Sequence, residues 1–289
     1  MDYEKAYEAY RVSVEEYLQG LFVRKKPYKR LQEAMRYSLL AGGKRVRPVM
    51  VLAFCEALGG DPRLAMPLGC ALECVHTYSL IHDDLPCMDD DDLRRGRPTC
   101  HKVYGETMAV LAGDALQAEA FRLISLAPGL SAQQRVDAVS ALASSCGGDG
   151  MVAGQVLDIE GQARDEASLR DLCLRKTGGL LGAAALLGCI AAGASDEVRR
   201  QALDYGSHLG LAFQVRDDIL DVTADQAELG KPVGSDREED KWTFVDLLGL
   251  ENCQRLVEEE TRLAKEAIAG FPDGGFLLEL ADRLAGRRK

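Results

Sequence analysis

Apolar residues recur at helical spacing along almost the whole chain, while the alternation that builds strands is scarce. Leu31, Ala34, Met35, Ser38 and Leu39 step along one helix face. So do Leu68, Ala71, Leu72 and Val75, then Leu209, Ala212 and Phe213, and later Leu256, Leu263 and Ala267. Turn formers fall between them: Gly42-Gly43, Gly59 to Pro62, Pro128-Gly129, Gly147-Gly148, Gly193, Gly230 to Gly234, and Pro272 to Gly275. Asp61-Pro62 and Ser195-Asp196-Glu197 carry helix starts, a capping acceptor followed by Pro or an acidic first turn. No segment repeats at a fixed period, and no low-complexity linker divides the chain. The pattern predicts an all-α protein, a single domain over residues 1–289, with about ten or more helices at ordinary helix length.

The 289 residues, 47% of them hydrophobic, suffice for a sizeable core. The formal charge is −11, which argues against nucleic acid or anionic lipid as a partner. It also poses a question: an anionic substrate would need cations to bridge it to acidic side chains. The uncharged stretch Thr177–Ser195 is long enough to span a membrane, but it is rich in Ala and Gly and poor in large apolar residues. We read it as a buried core helix. The N-terminus lacks the basic-then-apolar pattern of a signal peptide. Nine cysteines are present without a CxxC pair; Cys70 and Cys74 share a helix face, but no second pair completes a zinc site. Core thiols in a reducing, cytoplasmic compartment are the expectation.

Two groups of carboxylates stand out. Asp217, Asp218 and Asp221 interrupt the apolar run Phe213–Asp221, and Asp217 and Asp221 share a helix face. Carboxylates at that spacing repel one another, more so when partly buried, and a hard divalent cation removes the repulsion. Mg²⁺ takes oxygen ligands, keeps several waters, and uses one or two carboxylates plus substrate phosphates. A solvated acidic face is the plainer reading. The other group is Asp83-Asp84-Leu85-Pro86-Cys87-Met88-Asp89, followed by Asp90, Asp91 and Asp92. On an ideal helix Asp83 and Asp89 would lie about 120° apart. Pro86 must kink or bulge the helix, and a two-residue bulge would restore an effective spacing of four. Asp90 to Asp92 also fit a surface acidic run.

Cations flank these groups. Arg94-Arg95-Gly96 follows the first, and guanidinium matches phosphate oxygens bidentately, although surface ion pairs would use the same residues. Gly42-Gly43-Lys44-Arg45-Val46-Arg47-Pro48 is a second basic cluster without the GxxxxGK(S/T) spacing of a nucleotide loop. Lys176-Thr177-Gly178-Gly179 and Gly230-Lys231 add isolated cations near glycine.

Together these segments resemble the trans-isoprenyl diphosphate synthases, in particular the bacterial farnesyl diphosphate synthases, from about residue 30 to the C-terminus and in the same order. His76 through Pro86 and on to Gly96 looks like the first aspartate-rich motif in its longer bacterial form; Phe213 through Asp221 looks like the second, about 130 residues later. The resemblance implies an all-α bundle around a deep central cavity, usually a homodimer, acting on isopentenyl diphosphate and allylic diphosphates. It implies that Asp83, Asp84, Asp89 and Asp217 ligate a three-ion Mg²⁺ cluster, with Asp218 and Asp221 contributing directly or through waters. Arg94, Lys176, Lys231 and Lys241 would hold the allylic diphosphate. Lys44, Arg47, His76 and Arg95 would hold that of isopentenyl diphosphate, and Thr177 and Gln214 would line the carbocation. Where relatives have Lys-Ser-Thr or Lys-Thr-Thr, this chain has Lys241-Trp242-Thr243, which weakens the assignment of Lys241. The tail Arg287-Arg288-Lys289 resembles one that closes over the site, and reads equally as a frayed terminus.

The implied chemistry needs no activated nucleophile: charge building on the departing diphosphate is stabilised by cations, and the isopentenyl double bond attacks the allylic cation. Product length should depend on Tyr78, five residues before Asp83 and about 7.5 Å along the helix axis. In the family a bulky aromatic there accompanies a C15 product; Ser79, next along, is small. Tyr78 could also be a plain core aromatic. Farnesyl diphosphate is the expected product, with geranylgeranyl diphosphate (C20) the alternative, and a non-catalytic subunit of a heteromeric synthase or a terpene cyclase further behind. A calcium protein is excluded by the lack of a DxDxDG loop.

Overall fold

The computed structural model describes residues 2–23, 27–223 and 242–287. Helix α4 (Pro62–Asp83) is the one the others gather around. It packs against α1 (Tyr3–Gln19), α2 (Lys29–Leu39), α3 (Val46–Ala57), α6 (Glu106–Ser125), α7 (Ala132–Cys146) and α10 (Gly179–Ala191). Its start follows the sequence: Asp61 accepts from the Arg63 amide at 2.9 Å, and Pro62 occupies the first turn. Its burial is nearly all round, from Leu68 and Leu72 to Val75 and Ile81, as expected of a helix enclosed on every side.

The apolar segment 166–191 is one continuous rod made of α9 (Glu166–Cys173), a π-helical turn over Leu174–Gly178, and α10. It and α4 are long and apolar enough to cross a membrane, but most of each lies inside the protein. The predicted core helix is therefore present, and it ends at Ala191. α10 packs on α11 (Asp196–Thr223), which starts at the predicted Ser195-Asp196 signal, where Ser195 Oγ accepts from the Val198 amide. The remaining helices among the described residues are the short α5 (Cys100–Tyr104), α8 (Met151–Ile159), α12 (Phe244–Leu248), α13 (Leu250–Ala267) and α14 (Gly275–Ala285). A smaller apolar cluster, including Leu169, Val215, Phe244 and Val257, joins α9, α11, α12 and α13. Tyr205 of α11 is fully buried; its hydroxyl donates to the Leu277 carbonyl at 2.8 Å and its ring meets Phe54 edge-on.

Two local features depart from a plain helical reading. The π-helical turn interrupts 166–191, and a two-residue hairpin pairs β1 (Leu93–Arg94) with β2 (Arg97–Pro98). All nine cysteines are free thiols, and Cys87 is exposed while the other eight are buried.

Candidate active site

The first aspartate group sits where α4 stops. The expected bulge at Pro86 does not form; instead the helix ends at Asp83 and the chain wraps back on itself. The Leu85 amide donates to His82, the Asp89 amide to the Asp83 carbonyl at 2.8 Å, and the Asp90 amide to Leu85, with Asp90 in the left-handed region at φ 50°. Pro86 cannot donate and disfavours helix at Leu85, so the termination follows from the sequence. The seven-residue wrap does what a bulge would have done and returns Asp89 to Asp83. Burial pushes the Asp83 pKa up to about 6; Lys176 opposes the rise and the neighbouring Asp89 adds to it.

Asp84 faces another way. It is buried, and Arg94 Nε donates to its Oδ1 at 2.9 Å while an Arg94 Nη reaches Asp91 at 2.9 Å. Burial raises the Asp84 pKa against the pull of Arg94. This ion pair holds Arg94 beside Asp83, whose carboxylate feels the Arg94 charge.

The hairpin divides the two arginines. Arg95 and Gly96 form its turn with φ of 54° and 72°, both left-handed, and adjacent strand residues face opposite ways. Arg94 turns to Asp84, while Arg95 reaches back to donate to the Gly42 carbonyl, stacking over the Gly42-Gly43 loop. There it joins Arg47 and His76. Burial pulls the His76 pKa well below its ordinary value, and Arg47 and Arg95 depress it further. The Arg47 Nε is buried without a hydrogen-bond partner. Lys44 lies on the same loop, its carbonyl accepting from the Tyr7 hydroxyl at 2.6 Å. Cations crowded around a neutral histidine, with a buried donor unused, suit the binding of an anion.

Arg45, within the same basic cluster, has a different task that the sequence did not distinguish. It is buried, pairs with Glu73 at 2.7 Å and Glu15 at 2.8 Å, and donates to the Leu39 carbonyl. This fully satisfied network ties α1, α4 and the start of α3 together and leaves Arg47 to face the site.

On the opposite side, the π-helical turn presents Lys176 and Thr177. An extra residue in a helical turn re-aims the side chains it carries, and such turns recur at functional sites. Lys176 Nζ bonds Asp158 of α8 at 2.6 Å, and its charge acts on Asp83. Asp158 was missed; an acid in the apolar run of α8 was the available signal. Thr177 Oγ1 donates to Gln214 Oε1 at 3.2 Å, Gln214 Nε2 donates to Asp218 Oδ1 at 3.0 Å, and the Phe244 amide donates to Asp218 Oδ2 at 2.8 Å. The pairing depends on Gly210, where a Cβ would stand 2.5 Å from the Gly178 Cα, so only glycine lets α11 come this close.

Asp218 is buried, with both oxygens taken by protein donors, and it pins α12 to α11. Asp217, one residue earlier, is half exposed and ion-paired with Arg287. Arg287 also lies 3.5 Å over the Phe213 ring and donates to the Phe213 carbonyl at 3.1 Å, so this part of the basic tail rests on the second aspartate group. Asp221 is one turn beyond Asp217 on α11 and partly exposed. Lys231, Lys241, Arg288 and Lys289 lie outside the described residues.

No three His, Cys, Asp or Glu side chains converge on one point among the described residues. Mg²⁺ does not need a preformed cage, since phosphate and water complete its shell. Asp83, strained by burial and by like charge, offers the hard oxygens that such an ion takes, so the donor set fits the metal. Upstream on α4, the Tyr78 ring is buried, with its hydroxyl near Gln117 of α6 but in no well-formed hydrogen bond; Ser79 Oγ donates back to the His76 carbonyl at 3.0 Å.

An all-α bundle carrying two aspartate groups, a cation cluster and a π-turn lysine defines a diphosphate-handling enzyme. The chain belongs to the polyprenyl synthetase family, which matches over residues 28–269. It is 47% identical over 262 residues to the farnesyl diphosphate synthase of Bacillus subtilis, covering 89% of this chain and 88% of that one. It is 49% identical over 269 residues to the heterodimeric geranylgeranyl pyrophosphate synthase large subunit 1 of Arabidopsis thaliana, covering 90% and 72%. The crystal structure of an FPP/GFPP synthase from Zymomonas mobilis superposes with a TM-score of 0.88 at 34% identity, covering 99% of both chains. The protein is accordingly a trans-prenyltransferase of isoprenoid biosynthesis with the all-α isoprenoid synthase fold, from a family that uses Mg²⁺ with isopentenyl and allylic diphosphates.

Proposed function

We propose that this enzyme condenses isopentenyl diphosphate with dimethylallyl and then geranyl diphosphate, and stops at farnesyl diphosphate. The observation that carries the reading is the buried Tyr78 ring, about 7.5 Å back from Asp83 along α4, where a growing chain would run into it. Asp83, Asp89 and Asp217 would hold a three-ion Mg²⁺ cluster. Mg²⁺ supplies Lewis-acid neutralisation of charge on the leaving diphosphate. Lys176, anchored by Asp158, and Arg94, anchored by Asp84, orient that diphosphate. Lys44, Arg47, His76 and Arg95 orient the diphosphate of isopentenyl diphosphate. Thr177 and Gln214, joined by the bond from Thr177 Oγ1 to Gln214 Oε1, would line the place of the allylic cation without bonding to it covalently. The proton lost from the condensed product leaves with the released diphosphate. The nine free thiols support a cytoplasmic setting, and the exposed Val103, Val110 and Leu111 support a homodimer through α5 and α6.

The test is Tyr78→Ala, with products sized by radio-chromatography: chains longer than C15 support the assignment, and unchanged length sinks it. Geranylgeranyl diphosphate is the second reading, favoured by plant geranylgeranyl pyrophosphate synthases that match as well as the Bacillus enzyme. A non-catalytic subunit is disfavoured because both aspartate groups are complete.

A further inference from the structure

The seam between α4 and α6 holds a contact that neither the metal ligands nor the diphosphate cations use. His82, immediately before Asp83, lies against the α6 backbone with Nε2 3.2 Å from the Val110 carbonyl. A carbonyl only accepts, so Nε2 carries the proton and donates. The ring fits because residue 113 is glycine: a Cβ there would stand 2.1 Å from Nε2 and 2.6 Å from Cδ2. One turn back on α4, Tyr78 meets His82 edge to face, with ring centroids 5.8 Å apart and planes at 68°. The Tyr78 hydroxyl faces Gln117, one turn on from Gly113. The pairs His82/Gly113 and Tyr78/Gln117 are thus successive rungs of one antiparallel seam.

We propose that His82, seated in the Gly113 notch, is a positioning residue for product length: it fixes the height and tilt of the Tyr78 ring. The inference rests on the reading of Tyr78 as the floor. The Tyr78 hydroxyl makes no well-formed hydrogen bond, so polar contacts do not orient the ring. Its one aromatic neighbour among the described residues is His82. The His82 bond to Val110 locks α4 to α6 at the level of Asp83, so the distance from the reacting end to the floor is set at this rung. Losing the imidazole frees the Tyr78 ring to tilt, and longer chains pass.

The experiment compares His82→Ala, Gly113→Ala, His82→Gln, Tyr78→Ala and the His82→Ala/Tyr78→Ala double variant, sizing products made from isopentenyl and geranyl diphosphate with Mg²⁺. Gly113→Ala displaces the ring without altering α4. His82→Ala and Gly113→Ala should each raise the ratio of C20 to C15 by about 2- to 10-fold, the worth of one edge-to-face aromatic contact. His82→Gln, which can still bring an amide N–H to Val110 but lacks the ring that meets Tyr78, should fall between the parent and His82→Ala. The double variant should give the same product as Tyr78→Ala alone. Thermal unfolding checks that each variant is folded; if Gly113→Ala is not, the two His82 variants decide. Lower turnover at an unchanged ratio makes His82 merely structural and overturns this inference. Longer product from Tyr78→Ala with no change from His82→Ala and Gly113→Ala overturns it alone. No effect of Tyr78→Ala overturns the floor reading, and this inference with it.

Discussion

The amide of Asp89 donates to the carbonyl of Asp83 at 2.8 Å, closing the chain into a seven-residue loop at the end of α4. Two acids that a straight helix would separate are thereby brought to one place. Asp83→Asn and Asp89→Asn should each lower kcat by about 10²- to 10³-fold, the usual cost of losing one electrostatic contributor at a reacting centre. Steady-state kinetics at saturating Mg²⁺ check this. A loss below threefold for either variant would remove that residue from the metal site.

Asp84 acts through Arg94, so the two should not behave independently. Asp84→Ala and Arg94→Ala should each raise KM for the allylic diphosphate, and the double variant should be little worse than either alone. A double-mutant cycle on KM measures it; full additivity would separate the pair.

Asp218 is expected to matter for stability. In Asp218→Ala the Phe244 amide loses its buried acceptor, at a cost of about 1–3 kcal/mol. Denaturant unfolding of the metal-free protein reads this, and an unchanged midpoint would contradict it.

His76 should make the protein acid-sensitive. Burial and the neighbouring arginines hold its folded pKa well below the ordinary value, whereas the unfolded chain takes up a proton near about 6.5. The unfolded state therefore binds more protons, and stability falls as pH drops below about 6.5. Thermal unfolding from pH 8 to 5.5 should show a steeper loss for the parent than for His76→Gln. Inorganic diphosphate should flatten the parent curve by raising the folded His76 pKa through its negative charge, and parallel curves would contradict this account.

Helical content, the starts of α4 and α11, the core nature of 177–191 and both aspartate groups were legible in the sequence, because spacing and capping residues dictate them locally. Other features were not. The end of α4 turned on whether Pro86 bends a helix or stops it, a choice made by the loop's own hydrogen bonds. Arg45 and Arg47 look alike in sequence, and Glu15 and Glu73, brought in from distant helices, decide which one is neutralised. Asp217 and Asp218 differ only in which face of α11 meets α12. The π-turn at Lys176 reflects the close packing of Gly178 on Gly210, a contact across 32 residues.

Arg287 pairs with Asp217, held by the Phe213 ring and by Arg216, which donates to the Arg287 carbonyl at 2.8 and 2.9 Å. Arg287→Ala should tighten Mg²⁺ binding without substrate by about 2- to 10-fold, the worth of one ion pair with its cation–π contact. Calorimetric titration with Mg²⁺ alone measures this, and unchanged affinity would show that the contact does not compete.

The most direct measurement is to incubate the purified protein with Mg²⁺, isopentenyl diphosphate and either dimethylallyl or geranyl diphosphate, then size the product. The account predicts farnesyl diphosphate from both primers. Predominantly C20 product would contradict the C15 assignment, and no product from either primer would contradict the synthase itself.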